Sequence, residues 1–155
     1  VETGEITCIF HESDPAWVVA SYGKNSGLKW IQDGQKFLVL SEKDGWRHAY
    51  VYSRDGKEEQ QLTPGEFDII ERAVIDEAGG WFYYYASPDN GTQQYLYRVR
   101  LDGTAESERV TPPDQPGKHT YDFSPNAQWA FHTYSKFDSP PVTDLVRLTD
   151  HHVVS

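Results

Sequence analysis

The chain has 155 residues, the length of one ordinary domain or of a piece of a larger one. With 37% apolar and 25% charged residues it can build a packed core, which excludes an intrinsically disordered chain. Its 24 acidic and 14 basic residues give a formal charge of −10, which repels a phosphate backbone and disfavours nucleic acid as a partner.

Aromatic residues make up 14% of the chain, Met is absent, and 12 Gly and 9 Pro punctuate it. This balance favours β-strands joined by tight turns. Cys8 is the only cysteine, so an intrachain disulfide and a cysteine-rich zinc site are both excluded. No apolar run approaches the roughly 18 residues of a membrane span. The start, VETGEITCIF, lacks a basic end followed by an apolar segment, so a leader or anchor is expected to have been removed or never to have existed.

In chain order, residues 1–27 are the least regular part. Within them ITCIFHE and WVVASY each read as a strand, and together they are expected to finish a preceding unit. Gly23–Gly27, GKNSG, reads as a loop. From Lys36 a pattern begins that recurs: KFLVLSEKDGWRHAYVYSRDGKEEQQLTPG lies over GWFYYYASPDNGTQQYLYRVRLDGTAESERVTPP. Ser41 meets Ser87, Tyr50 meets Tyr97, Asp55-Gly56 meets Asp102-Gly103, and Leu62-Thr63 meets Val110-Thr111. A third, shortened copy starts at Phe123 with FSPNAQWAFHTYS and ends in DLVRLTD.

Each copy holds about four candidate strands; in the middle one they are IIERAVID, WFYYYAS, QYLYRVR and SERVT. Asp55-Gly56, Asn90-Gly91 and Asp102-Gly103 are read as hairpin turns that need φ > 0. The one helical competitor is EFDIIERAVIDE, where Phe67, Ile70, Val74 and Glu77 share a helical face. Its β-branched residues and the repeat frame instead predict a strand from Ile69 to Ile75. A four-stranded unit recurring at about 45 to 50 residues is the mark of a β-propeller blade. The expected fold is therefore all-β, a partial propeller of about three four-stranded antiparallel blades. Their approximate bounds are 28–68, 69–117 and 118–155, and 1–27 is taken as the end of a preceding blade. Propellers close with about four to eight blades, so a longer parent is expected.

Few side chains suggest chemistry. His48 shares a strand face with Tyr50 and Tyr52, and Tyr95 takes its place in the next copy, so it is expected to pack rather than to catalyse. His151-His152 on a strand would point to opposite faces and could not chelate one metal together. Asp68, Asp76 and Glu77 fall near turns, where acids cap or solvate the chain. Asn90-Gly91-Thr92 fits the N-glycosylation pattern but reads first as a turn. No metal or cofactor is expected.

The ordered set WIQDGQKFLVLSEKDGWRHAYVY, QLTPGEFDI, YYYASPDNGTQQYLYRV and HTYDFSPNAQWAFHTYSKFDSPPVTDLVRL closely resembles the later part of the propeller in the dipeptidyl peptidase IV branch of the prolyl oligopeptidase family. The resemblance implies a C-terminal α/β-hydrolase domain in the parent, carrying a Ser-His-Asp triad that releases N-terminal X-Pro or X-Ala dipeptides. It also implies peptide substrates and a periplasmic, cell-surface or secreted parent. The nucleophile elbow G-x-S-x-G is not found in these 155 residues, so the fragment itself is expected to be inactive. Family members bind the substrate's amino terminus with paired glutamates in an aromatic insert. Glu58-Glu59 lacks that context, lying after a hairpin turn. The loop after Trp17 corresponds to one that approaches substrate, and within it Tyr22 is the candidate substrate-binding residue. An open blade edge could also pair with a second copy as a homodimer. The competing expectation is a non-catalytic envelope propeller that binds protein or glycan.

Overall fold

A computed structural model describes residues 4, 6–18 and 27–154, which hold twelve β-strands and no helix. The first sheet comprises β1 (Lys29–Ile31), β2 (Lys36–Ser41), β3 (His48–Ser53) and β4 (Glu59–Gln61). The second comprises β5 (Ile69–Asp76), β6 (Trp81–Ala86), β7 (Tyr95–Arg100) and β8 (Glu108–Arg109). The third comprises β9 (Lys118–Phe123), β10 (Trp129–Lys136), β11 (Ser139–Arg147) and β12 (His152–Val153). Within each sheet the strands pair antiparallel in chain order. The all-β partial propeller expected from the repeat is what the chain forms.

Burial explains the aromatic strands. Leu38, Leu40, Ala49 and Val51 of the first sheet pack with Phe82, Tyr84, Ala86 and Val99 of the second. The opposite face of the second sheet buries Tyr83, Tyr85 and Leu96 against Tyr121, Ala130 and Val146 of the third. The second sheet is thus covered on both faces, and every residue from Phe82 to Ala86 is buried. A strand buried on both faces reads as a continuous apolar run rather than an alternation, and FYYYA is such a run.

β5 runs from Ile69 to Asp76, as the β-branched residues predict, but its pairing with β6 shifts register between Ile69 and Glu71 and again between Arg72 and Val74. Those irregularities break the two-residue alternation, and that is why a helical period could compete in the sequence. The hairpin glycines Gly56 and Gly103 adopt φ of 74° and 65°, as a tight turn requires.

Three local expectations are corrected. Neither Asn90 nor Gly91 has positive φ among the residues that do. Instead Asn90 Oδ1 accepts from the Thr92 amide at 3.0 Å and its hydroxyl at 2.8 Å, an Asx turn that needs no left-handed residue. Ser41 and Ala86, not Ser87, are the matching strand ends, because Ser41 pairs with His48 where Ala86 pairs with Tyr95. Residues 6–12 form no strand, while the rest of the predicted WVVASY strand beyond Val18 lies outside the described residues. Ile9 and Phe10 pack by side chain on Phe37, Val39, Tyr50 and Tyr52, with the Phe10 ring 5.5 Å from that of Tyr52. The Ile9 carbonyl runs so close to Gly56 that a Cβ there would collide with it.

Backbone bonds also link successive sheets at equivalent places. The Ile69 amide donates to the Arg47 carbonyl at 2.8 Å, and the His119 amide donates to the Gln94 carbonyl at 3.0 Å.

Candidate functional site

A threonine clasp recurs where the fourth strand of a sheet ends. Thr63 Oγ1 accepts from the Ala49 amide at 3.0 Å, and Thr111 Oγ1 accepts from the Leu96 amide at 2.9 Å. In both places the preceding residue still continues the ladder, Leu62 donating to the Ala49 carbonyl and Val110 to the Leu96 carbonyl, each at 2.8 Å. The hydroxyl therefore stands in for a strand carbonyl and satisfies a buried amide. These are the Leu-Thr and Val-Thr pairs that marked the repeat in the sequence.

His48 is fully buried beside the first clasp. Its Nε2 lies 3.0 Å from the Gly65 carbonyl, which can only accept, so Nε2 carries the proton. Nδ1 is 3.4 Å from Thr63 Oγ1, and Phe67 meets the ring edge-on at 5.3 Å. Among the described residues no histidine bonds to a serine hydroxyl; His48 Nε2 also lies 3.6 Å from Asp44 Oδ2, and the other side-chain partners of His48, His119, His132 and His151 are threonine, tyrosine and histidine. GKNSG lies outside the described residues except Gly27, and so does Tyr22.

Glu59 is already engaged. It pairs closely with Lys43 and accepts from the Tyr52 hydroxyl at 2.7 Å, and the Lys43 ammonium above all holds its carboxyl below the usual range. Burial in turn raises the Tyr52 hydroxyl. Glu58 is exposed. The two glutamates thus do not form a joint receptor for an amine.

The third sheet holds a cluster that sequence reading did not single out. Along β9 and β10, His119 is paired across the strands with Tyr134, and Tyr121 with His132. The rings stack: Tyr134 on His119 at 4.7 Å, His119 on His132 at 5.1 Å, and His132 on Tyr121 at 4.5 Å. His119 and His132 are fully or almost fully buried, and His119 Nδ1 lies 2.8 Å from His132 Nε2. His119 Nε2 is 2.9 Å from the Gln115 carbonyl and must donate to it, leaving Nδ1 to accept from the Nε2–H of His132. Burial pushes His119 down to about 4 and His132 down to about 3, so both rings are neutral near pH 7.

His151 joins this cluster through a turn rather than a strand. Its φ is 55°, which places it before β12, and its Nε2 lies 2.8 Å from the Tyr121 hydroxyl. His152 lies on β12 and is exposed. The expectation that both occupy one strand is corrected. Among the described residues no group of three or more His, Cys, Asp or Glu could hold a metal.

Between the first two sheets runs an open groove of about 610 Å³, floored by the stacked rings of Phe67, Tyr84 and Tyr97 and flanked by Pro64 and Pro88. It carries no nucleophile paired with a base.

Comparison with known proteins gives the family. Residues 1–141 match the model of the dipeptidyl peptidase IV N-terminal region. The chain belongs to the dipeptidyl peptidase IV family. A dipeptidyl peptidase IV relative from Emericella nidulans, "Probable dipeptidyl-aminopeptidase B", is 35% identical over 104 residues, covering 66% of this chain and 11% of its own length. A protein of the same description from Aspergillus oryzae is 33% identical over 94 residues, covering 59% of this chain and 10% of its own. The crystal structure of Porphyromonas gingivalis dipeptidyl peptidase 4 superposes with a TM-score of 0.69 at 25% identity, covering 81% of this chain and 17% of that one. A structure described as a putative dipeptidyl aminopeptidase IV from Bacteroides ovatus shares the fold, with a TM-score of 0.67 at 18% identity over 81% of this chain and 20% of that one. The chain therefore spans about a tenth of these sequence relatives and less than a quarter of the solved structures.

Proposed function

We propose that the chain is a non-catalytic portion of the propeller of a dipeptidyl peptidase IV-like serine exopeptidase. Its three sheets serve as blades over approximately 28–68, 69–117 and 118–155, with 1–27 ending the blade before them. The parent's α/β-hydrolase domain carries the triad and releases N-terminal X-Pro or X-Ala dipeptides, and the blades bound the chamber that the peptide must enter. The observation that carries this reading is the match of residues 1–141 to the N-terminal region of the family. The face-to-face stacking of the sheets supports it, since each sheet buries side chains against the next as blades in a ring must.

In this reading Tyr22 is the residue of the chain that meets the peptide. A lost contact of about 1.4 kcal/mol corresponds to a tenfold change in affinity. In the complete parent protein, Tyr22→Ala is expected to raise KM for peptide substrates about tenfold with kcat within twofold of wild type. Unchanged KM and kcat would remove Tyr22 from the substrate path.

A further inference from the structure

The histidine pair sits at the joint between the second and third sheets. Gln94, just before β7, receives the His119 amide on its carbonyl and donates its own amide to the Gly117 carbonyl at 3.1 Å. Its side-chain amide donates to the His119 carbonyl at 3.0 Å. The joint therefore closes around the backbone of His119, and the ring of the same residue is held from below by His132. Tyr95 of β7 lies against the His119 ring at 5.6 Å, so the pair touches the second sheet directly.

We propose that the hydrogen-bonded His119–His132 pair makes this joint an acid-sensitive latch, closed while at least one ring is uncharged and released when both are protonated.

The proton count sets the behaviour. With both rings neutral, His132 Nε2–H donates to His119 Nδ1. One added proton is accommodated on His119 Nδ1, which then donates to His132 Nε2 once His132 moves its own proton to Nδ1. A second proton leaves two N–H groups facing each other 2.8 Å apart, and the bond is lost.

The surroundings oppose charge. Tyr95 of β7, Tyr121 of β9 and Tyr134 of β10 present rings. Arg109 of β8 and His151 both push His119 towards the neutral form, and His151 does the same to His132. Asp144 of β11 pairs across the strands with His132, and with Asp150 it favours the charged form of His151. Among the described residues no carboxylate is hydrogen-bonded to either ring of the pair. Because the folded chain resists protons that the unfolded chain accepts near pH 6.5, stability is full above that pH and falls as the pH drops towards 4.

The test is urea unfolding of the 155-residue chain at pH 7 and pH 5, comparing wild type with His132→Gln. Gln places an amide N–H near the position of His132 Nε2 but cannot titrate. An unfolded-state value of 6.5 and a folded-state ring that stays neutral give a loss of about 25-fold in the folded-to-unfolded ratio per histidine over that interval. His132→Gln is expected to recover about that factor. Relative to the intrinsic exchange rate at each pH, protection of the His119 amide is expected to fall more than that of Tyr50 of β3 as the pH falls, which a purely local packing role would not produce. A wild-type pH slope retained in full by the variant would overturn the proposal. Should the variant fail to fold, NMR titration of the wild-type imidazoles decides: transitions below pH 5 support the latch, and transitions within half a unit of 6.5 overturn it.

Discussion

Replacing Thr111 with Val tests the clasp that ends the first two sheets. Thr111 is fully buried, and its hydroxyl is the acceptor for the Leu96 amide and lies 3.1 Å from the Tyr121 hydroxyl. Val keeps the shape but removes the oxygen. The Tyr121 hydroxyl retains His151, whereas the Leu96 amide is left in the core without an acceptor. Orphaning one buried polar group costs about 1–3 kcal/mol, so Thr111→Val is expected to destabilise the chain by about 2 kcal/mol. For a chain of this size that lowers Tm by roughly 4–8 °C. The assay is urea unfolding followed by tryptophan fluorescence, with the midpoint shifting at constant slope. Thr111→Ser keeps the oxygen and loses one methyl, for a cost of about 1 kcal/mol. A Val variant within about 0.5 kcal/mol of wild type, or a Ser variant as damaging as Val, would show that the hydroxyl does not complete the ladder.

Other perturbations report on the packing between sheets. Phe82→Ala empties a fully buried site between the first two sheets and is expected to cost about 3–5 kcal/mol in the same unfolding assay. Gly117→Ala would set a Cβ 2.5 Å from the Ser135 carbonyl oxygen and 2.6 Å from the Tyr134 ring, so β9 must shift from β10. Its signature is faster amide exchange along β9 together with a lower Tm, while β2 and β3 keep wild-type protection.

The fold was legible because a propeller writes its repeat into local chemistry. Asp-Gly turns and the Leu-Thr and Val-Thr ends recur in the first two sheets, and Ile69–Asp76 takes its strand form despite a competing helical period. Features that depend on register were not legible. Aligning Ser41 with Ser87 was off by one residue because the turn between the second and third strands changes length. His119 and His132 stand 13 residues apart in a stretch that reads as ordinary strands. Only the pairing of β9 with β10, together with His151 arriving from the turn before β12, brings three histidines and two tyrosines together. His48 was placed among packing residues from the repeat, and the buried ring bonded to Gly65 and Thr63 has the corresponding environment. Tyr22, the proposed substrate contact, lies outside the described residues.

Under the proposed function, structure belongs to this chain and chemistry to a separate domain of the parent. Release of Gly-Pro from a chromogenic Gly-Pro amide, measured side by side for the 155-residue chain and for the product of the complete reading frame, separates the two. The expected result is no turnover by the chain and serine-inhibitor-sensitive turnover by the complete protein. Turnover that stays with the 155-residue chain through repurification, or a complete protein with no dipeptide release, would contradict it.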